Sequence, residues 1–262
     1  MSTTIPARPG GFQGSLAFWF SWLTAGRSRT LRASGAQAPD SPRPPRPGLP
    51  GTPKGPRARS RRQLPGTRGR STRLRQLLNG ENCTVVLSDV VGFGARSRTD
   101  EDRRIIRETL FRITYAAMRG IPDVWSWEDR GDGLLMVIPP SIPTAEVVEH
   151  LHAGPPAALE EHNRTHPDSA RIQLRVAVNV GPVTSDDIGI SGEAIIVAAR
   201  LVEAPPFKEA MDETGASLGI IASTFIYETV VRQHPHMVGY SQVRVDVKES
   251  SILGWLKLFG GN

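Results

Sequence analysis

The alternation of apolar and polar residues after position 79 predicts strands that are joined by turns and helices. Residues 83–87 (CTVVL) form a β-branched run, and residues 172–180 (IQLRVAVNV) alternate cleanly, so both are expected to be strands. Shorter runs of the same kind extend this expectation to residues 124–128, 134–138, 218–222, 242–248 and 252–258. The segment from Gly181-Pro182 to residue 188 is expected to be a short strand or a turn.

Four segments carry apolar residues at the spacing of amphipathic helices. The first, residues 101–118, follows Thr99 and Asp100, either of which can serve as its N-cap. The others are residues 144–163 with an interruption near residues 154–156, residues 193–202 with an apolar face of Ile195, Ile196, Ala199 and Val202, and residues 224–232 after the N-cap Ser223. The order β, α, ββ, α, β, α, β, α, ββ predicts an α+β sandwich in which helices cover one mostly antiparallel sheet.

One predicted hairpin turn carries an unusual amount of charge. The stretch WSWEDRGDGLLMV (residues 125–137) places three acidic residues and an arginine between two apolar runs, and Asp132-Gly133 suits a tight turn. Asp89 lies at the end of the first strand, before a glycine-containing turn at residues 90–94. An aspartate in a turn commonly accepts hydrogen bonds from nearby N–H groups. Two such carboxylates at the ends of central strands can also share a pair of Mg²⁺ ions, with a triphosphate on the turn amides.

Charge divides the chain into two parts. Residues 1–78 hold 15 Lys or Arg and one acidic residue, Asp40, for a net charge of +14, whereas residues 79–262 carry −8. The first part also holds 11 of the 22 prolines and little apolar surface, so it is expected to be a disordered basic, Pro- and Arg-rich tail. The remaining residues suit one domain with a sizeable core.

The tail admits three interpretations. It is a solvated linker, or the product of a start codon placed too far upstream, or an arm that binds nucleic acid or an anionic surface weakly and in a salt-dependent way. Its apolar stretch at residues 16–23 is shorter than the roughly 20 residues of a membrane helix, and no signal peptide is expected. The single cysteine, Cys83, permits no internal disulfide, which agrees with an expected cytoplasmic location.

Three motifs, taken in order, resemble those of class III adenylyl and guanylyl cyclase catalytic domains. Residues 87–93 (LSDVVGF) are similar to the family's strand-end motif, residues 130–136 (RGDGLLM) to its Gly-Asp hairpin, and residues 175–201 to its closing strand, turn and arginine-bearing helix. The resemblance covers about residues 82–258. It implies a ferredoxin-like sandwich at residues 79–262, and a nucleotidyl cyclase that converts an NTP into a 3′,5′-cyclic nucleotide and pyrophosphate.

The resemblance also implies a role for each matched residue. Asp89 and Asp132, with Val90, are expected to hold two Mg²⁺ or Mn²⁺ ions. The phosphates of the substrate are expected at the turn Val91, Gly92 and Phe93, and at Lys248, although the glycines that surround the family's lysine are missing.

Arg200 matches the family's arginine that neutralises charge on the α-phosphate. In the family this arginine reaches in from the partner subunit of a head-to-tail homodimer, so the resemblance implies the same for Arg200. A solvated cation at the end of a helix, favoured by the helix dipole, is the simpler alternative. Ile196 stands where the family has an asparagine that orients the ribose. This departure favours a different reading, a catalytically inactive module that senses a nucleotide or mediates dimerisation.

Base selection in the family depends partly on the position held here by Glu128, which is able to accept hydrogen bonds from guanine, cytosine or uracil. The second base-selecting position is Gly189, which has no side chain. This incomplete purine pattern in a short stand-alone domain resembles the bacterial pyrimidine cyclases of anti-phage signalling. It implies cyclic CMP or cyclic UMP as a messenger for a separate effector, and an ordinary guanylate or adenylate cyclase is the alternative.

Overall fold

The computed structural model of the chain describes residues 78–186, 189–247 and 250–261. The strands are β1 (Asn79–Val90), β2 (Ser126–Asp129), β3 (Gly133–Ile138), β4 (Leu174–Ser185), β5 (Ile190–Ser191), β6 (Leu218–Ser223), β7 (Ser241–Val247) and β8 (Ser250–Phe259). The helices are α1 (Asp100–Ala117), α2 (Thr144–Ala153), α3 (Pro155–Thr165), α4 (Glu193–Val202), α5 (Pro205–Thr214) and α6 (Thr224–Thr229). The expected tail, apart from Leu78, and Lys248 lie outside the described residues.

The described strands form one sheet in the order β2-β3-β1-β4-β6-β8-β7, and β5 pairs with β4. Within this sheet β4 and β6 run parallel, and the other pairs are antiparallel. This arrangement confirms the predicted α+β class with a mostly antiparallel sheet. Because β1 lies between β3 and β4, the residues at its C-terminal end are flanked by a strand on each side.

The core divides between the two faces of the sheet. On one face, Val86 of β1 and Ile220 of β6 belong to the same buried cluster as Ile106 of α1 and Leu159 of α3. Since side chains alternate along a strand, Gly219 of β6 points to the opposite face, where an added side chain would collide with Phe207 of α5. In the part of the chain that the structure describes, no helix has the length and apolar character needed to cross a membrane.

Several element boundaries differ from the sequence prediction. Strand β1 is longer than residues 83–87 and includes Asp89, because its backbone stays paired with both neighbours up to the hairpin. Strand β4 continues through Gly181-Pro182 to Ser185, where a short strand or turn was predicted. The predicted interruption of the second helix is confirmed, since α2 ends and α3 begins around Gly154. Thr99 is the N-cap of α1, and its side chain accepts a hydrogen bond from the Asp102 N–H.

Helix α5 has no counterpart in the sequence prediction. Pro205-Pro206 looks like a helix breaker, but the two prolines occupy the first turn, where the missing N–H groups have no helical partner to lose. The apolar face predicted for α4 is partly wrong, because the helix buries Ala194, Ala198 and Leu201 and leaves Ile196 half-buried. The small Ala194 faces Gly181 of β4, so α4 approaches the sheet along its alanine-rich side.

Candidate functional site

The charged hairpin between β2 and β3 folds directly onto the end of β1. The Val90 N–H donates to the Asp132 carbonyl oxygen at 2.8 Å, and Asp89 pairs with Gly133 in the sheet register. A side chain at Gly133 would collide with the Ser88 carbonyl oxygen, so this position accepts glycine alone. The turn takes its positive φ, 88°, at Gly131 and not at the predicted Asp132-Gly133. Gly133 is the first residue of β3, and its missing side chain lets the chain that carries Asp132 approach the strand that carries Asp89.

Asp89 is surrounded by charge as well as by the sheet. Arg175, opposite it on β4, makes an ion pair with its carboxylate, and the same guanidinium lies 3.6 Å from the carboxylate of Glu203. Burial raises the pKa of Asp89 to about 6 against the opposing effect of Arg175, and Asp132 and Glu203 add smaller increases. The arrangement therefore holds more negative charge than one arginine neutralises.

The donor set at this corner fits a divalent cation that also binds phosphate. Among the residues that the structure describes, no three His, Cys, Asp or Glu side chains are grouped to hold a metal ion by themselves. Asp89 and Asp132 are nevertheless close enough for one to raise the pKa of the other. Magnesium is commonly bound by one or two carboxylates, with substrate phosphates and water completing its octahedral shell. Two neighbouring carboxylates are sufficient for such a site.

In the turn that follows β1, some of the N–H groups expected to bind a triphosphate already make hydrogen bonds within the protein. The Val91 N–H donates to the Gln173 carbonyl at 2.9 Å, and the Phe93 N–H donates to the Val90 carbonyl at 3.3 Å. Gly92 has a φ of 62°, a conformation that favours glycine. The N–H groups of Gly92 and Gly94 make no hydrogen bond with another described residue, so they are better candidates than Val91 and Phe93 for an incoming anion.

The two positions implied in base selection lie side by side. A side chain at Gly189 would place its Cβ 3.9 Å from Glu128 Oε1, which is ordinary van der Waals contact. The other carboxylate oxygen, Oε2, pairs with Arg130 Nη2 at 2.7 Å, and both side chains are about four-fifths buried. Asp129 instead accepts a hydrogen bond from the Gly131 N–H at 2.8 Å and pairs with Arg107 of α1. The charges of the hairpin therefore divide three ways: Glu128 and Arg130 lie near Gly189, Asp129 lies against α1, and Asp132 lies beside Asp89.

Arg200 lies in the last turn of α4, and its side chain is 29% exposed. Within the chain it pairs with Glu193 of the same helix at 3.8 Å. Ile196, one turn earlier, is half-buried and so lies on the partly open side of the helix with Arg200. The helix ends at Val202 and is capped by Glu203, whose N–H donates to the Ala199 carbonyl and whose carboxylate pairs with Lys208 of α5 at 2.6 Å.

Arg175 and Glu203 are the two site residues that the sequence prediction missed. Arg175 was readable as a single charge within the apolar strand LRVAVNV, where burial of an unpaired cation is costly and a partner is therefore expected. The identity of that partner depends on the register between β4 and β1, which the sequence does not specify. Glu203 follows α4 directly and had no distinguishing pattern.

Comparisons with known proteins give a structural likeness. No protein-family model and no curated protein matches the chain significantly. An adenylate/guanylate cyclase/hydrolase from Silicibacter pomeroyi has 20% identity and a TM-score of 0.50, over 68% of this chain and 96% of that one. The guanylate cyclase domain of RhGC from Catenaria anguillulae, solved with GTP, has 19% identity and a TM-score of 0.45, over 70% of this chain and 98% of that one. The first comparison confirms the expected cyclase fold.

The raised pKa of Asp89 predicts that replacement by a neutral isostere stabilises the metal-free protein. The folded chain holds the Asp89 proton up to about pH 6, whereas an unfolded aspartate loses it near pH 4, so wild-type stability falls between these values and stays lower above them. Asp89→Asn is expected to raise the free energy of unfolding by about 1–3 kcal/mol at pH 8 and to change it little at pH 4.5. Urea unfolding in EDTA measures this difference. Asp168→Asn, at an exposed carboxylate, is the control, and a variant less stable than wild type at pH 8 would contradict the account.

Proposed function

We propose that the chain is a nucleotidyl cyclase, which converts a nucleoside triphosphate into a 3′,5′-cyclic nucleotide and pyrophosphate, with residues 79–262 as the catalytic unit. The observation that carries the proposal is the closure of the hairpin onto β1, because it brings Asp89 and Asp132 together at the ends of central strands. The fold shared with the Silicibacter pomeroyi cyclase agrees with this function.

The corner of Asp89 and Asp132 is the proposed metal site, with Val90 beside it. Mg²⁺ or Mn²⁺, when bound there, supplies the charge that acidifies the ribose 3′-hydroxyl and neutralises the triphosphate. Asp89 and Asp132 would hold the ion, and the 3′-oxygen would attack the α-phosphorus in line, with its proton passing to solvent and pyrophosphate as the leaving group. The turn after β1 holds the phosphates through Gly92, and its neighbours Val91 and Phe93 fix the shape of the turn.

Arg200 is the proposed stabiliser of charge on the α-phosphate, acting in the site of a partner subunit. Its guanidinium is partly exposed at the end of α4, and its partner Glu193 is an exposed carboxylate at a long 3.8 Å. Such a pair with an exposed carboxylate contributes little stability, so this contact alone does not commit Arg200 to its own helix. A head-to-tail homodimer would bring Arg200 of each chain to the Asp89 of the other.

The base is proposed to be a pyrimidine. Guanine presents N1–H and N2–H₂ together and thus takes both oxygens of a carboxylate, whereas cytosine or uracil presents a single donor group beside an acceptor. Glu128 Oε2 pairs with Arg130 at 2.7 Å, which competes with a contact of both carboxylate oxygens to guanine, and Gly189 beside it has no side chain to complete a purine pattern. The product would then be cyclic CMP or cyclic UMP, and a second messenger for a separate effector in defence against phage is the biological role we propose for it.

Ile196 favours a second candidate, an inactive cyclase-like module. An isoleucine cannot orient a ribose by hydrogen bonding, and it leaves a half-buried apolar side chain one turn from Arg200. In this case the same corner binds a nucleotide without turning it over, and the module acts through binding or dimerisation.

Incubation of the full chain with ATP, GTP, CTP or UTP and Mn²⁺ tests both candidates. Mass spectrometry is expected to detect one cyclic pyrimidine nucleotide, and Asp89→Ala or Asp132→Ala is expected to lower its rate by about 100-fold or more. Asp168→Ala, which removes an exposed carboxylate, is the matched control. Cyclic GMP as the sole product would overturn the pyrimidine assignment, and nucleotide binding without any product would favour the inactive module.

Mixing of two inactive variants tests the contribution of Arg200 from a partner. Random pairing of Asp89→Asn chains with Arg200→Ala chains makes half of the dimers mixed, each with one intact site, so about a quarter of wild-type activity is expected. Each variant alone is expected to stay inactive. Activity that does not recover on mixing, with mixed dimers verified by tagged pull-down, would place both residues in one chain's site.

A further inference from the structure

Four alternating charges connect the Asp89 corner with the end of helix α4. Asp89 pairs with Arg175, Arg175 lies 3.6 Å from Glu203, and Glu203 pairs with Lys208 at 2.6 Å. Arg175 is the most buried of the four, with 9% of its side chain exposed. A guanidinium in such a position needs acceptors from the protein, because little water can reach it to accept its hydrogen bonds.

The contacts of Arg175 are concentrated on one of its nitrogens. Nη2 donates to Asp89 Oδ2 and also faces Glu203 Oε1, while the buried Nε finds no acceptor among the described residues. The guanidinium is thus held between two carboxylates with donor capacity unused. A small rotation about its side-chain bonds would exchange the nearer carboxylate for the farther one.

A divalent cation at Asp89 changes the balance between these two carboxylates. Both the cation and the guanidinium are positive, and both approach the same carboxylate in a site with little water, so they repel each other strongly. Glu203 is the alternative acceptor, and it is already within 3.6 Å. The other oxygen of Glu203 stays paired with Lys208, so Arg175 need not neutralise the whole negative charge of Glu203.

We propose that Arg175 is a positioning residue that serves as the internal counter-ion of Asp89 in the metal-free protein and passes to Glu203 when Asp89 binds a divalent cation. This inference rests on the proposed metal role of Asp89. It adds to it a link between the metal corner and α4, because Glu203 follows the last residue of that helix and Arg200 lies three residues before Glu203. Loading of the site then draws the end of α4 toward β4 and sets the position from which Arg200 extends.

Titration of the full chain with Mn²⁺ in the absence of nucleotide, followed by the electron paramagnetic resonance signal of free Mn²⁺, tests the inference. Arg175→Gln removes the competitor, so Asp89-dependent Mn²⁺ binding is expected to tighten about tenfold. Glu203→Gln removes the second acceptor, so binding is expected to weaken about tenfold. In the Arg175→Gln background, Glu203→Gln is expected to change the Mn²⁺ affinity by less than about twofold, because Glu203 then has no guanidinium to accept.

Two further variants separate this role from a merely structural one. Arg175→Lys keeps the charge and is expected to bind Mn²⁺ about as wild type does, whereas Arg164→Gln breaks an exposed arginine–glutamate pair on α3 and is expected to have no effect. Equal weakening by Glu203→Gln in both backgrounds would overturn the inference, since it would reflect only the general field of a lost carboxylate. Looser binding in Arg175→Gln would overturn it as well.

The outcomes distinguish this inference from the proposed function. If wild type shows no Mn²⁺ binding that Asp89→Asn abolishes, both the metal role and the passage of Arg175 are wrong. If the opposite shifts and their non-additivity are found while no NTP yields a cyclic product, the inference stands and the cyclase assignment alone is wrong.

Discussion

The hydrogen bond from the Val90 N–H to the Asp132 carbonyl fixes the charged hairpin against the end of β1. Gly133 makes this approach possible, since any side chain there would meet the backbone of Ser88. The result is a pair of carboxylates that repel each other in a partly buried place. Arg175 and Glu203 complete the group, and their positions follow from strands and a helix that pack around the same corner. The rest of the site is built outward from this contact.

Such a group of charges is costly to bury, and the surrounding sheet supplies the stabilisation. Val85, Val86 and Leu87, which precede Asp89 on β1, are almost fully buried. Each such side chain contributes roughly 1.5–3 kcal/mol relative to exposure. Because β1 is hydrogen-bonded to β3 and β4 along its length, the carboxylate at its end cannot move away from its neighbours without breaking those ladders. A rigid central strand therefore holds an electrostatically unfavourable corner, as functional sites commonly require.

Local signals in the sequence were sufficient for much of this architecture. Residues 172–180 alternate, so this strand could be predicted, and the glycines of residues 130–133 indicated a hairpin, although the positive φ falls at Gly131 and not at Gly133. The order of elements indicated the fold class. Helix α5 was missed because Pro205-Pro206 has the same appearance at the start of a helix as in a loop. The apolar face of α4 was misplaced because the contact of Ala194 with Gly181 depends on two distant segments. Arg175 and Glu203 depend on register and helix placement, which are properties of the whole fold.

The structural likeness supports the fold, whereas the site residues support the proposed chemistry. The likeness to the Silicibacter pomeroyi protein concerns the arrangement of the backbone, and one fold can host several activities. The proposed chemistry depends instead on Asp89, Asp132 and Glu128, which the hairpin brings to one end of the sheet. Ile196 favours the alternative of an inactive module. If Asp89 and Asp132 hold a metal as proposed, with Ile196 unable to hydrogen-bond a ribose, the substrate would be positioned through its base and its phosphates.

Anomalous X-ray scattering from crystals that contain Mn²⁺ and a non-cyclisable nucleoside triphosphate analogue would test the central claim most directly. We expect an anomalous peak within coordination distance, about 2.2 Å, of oxygens of both Asp89 and Asp132, with the triphosphate on the same ion. We also expect the Arg175 guanidinium to lie nearer to Glu203 than to Asp89. Bound nucleotide with no anomalous peak at these two carboxylates would contradict the account.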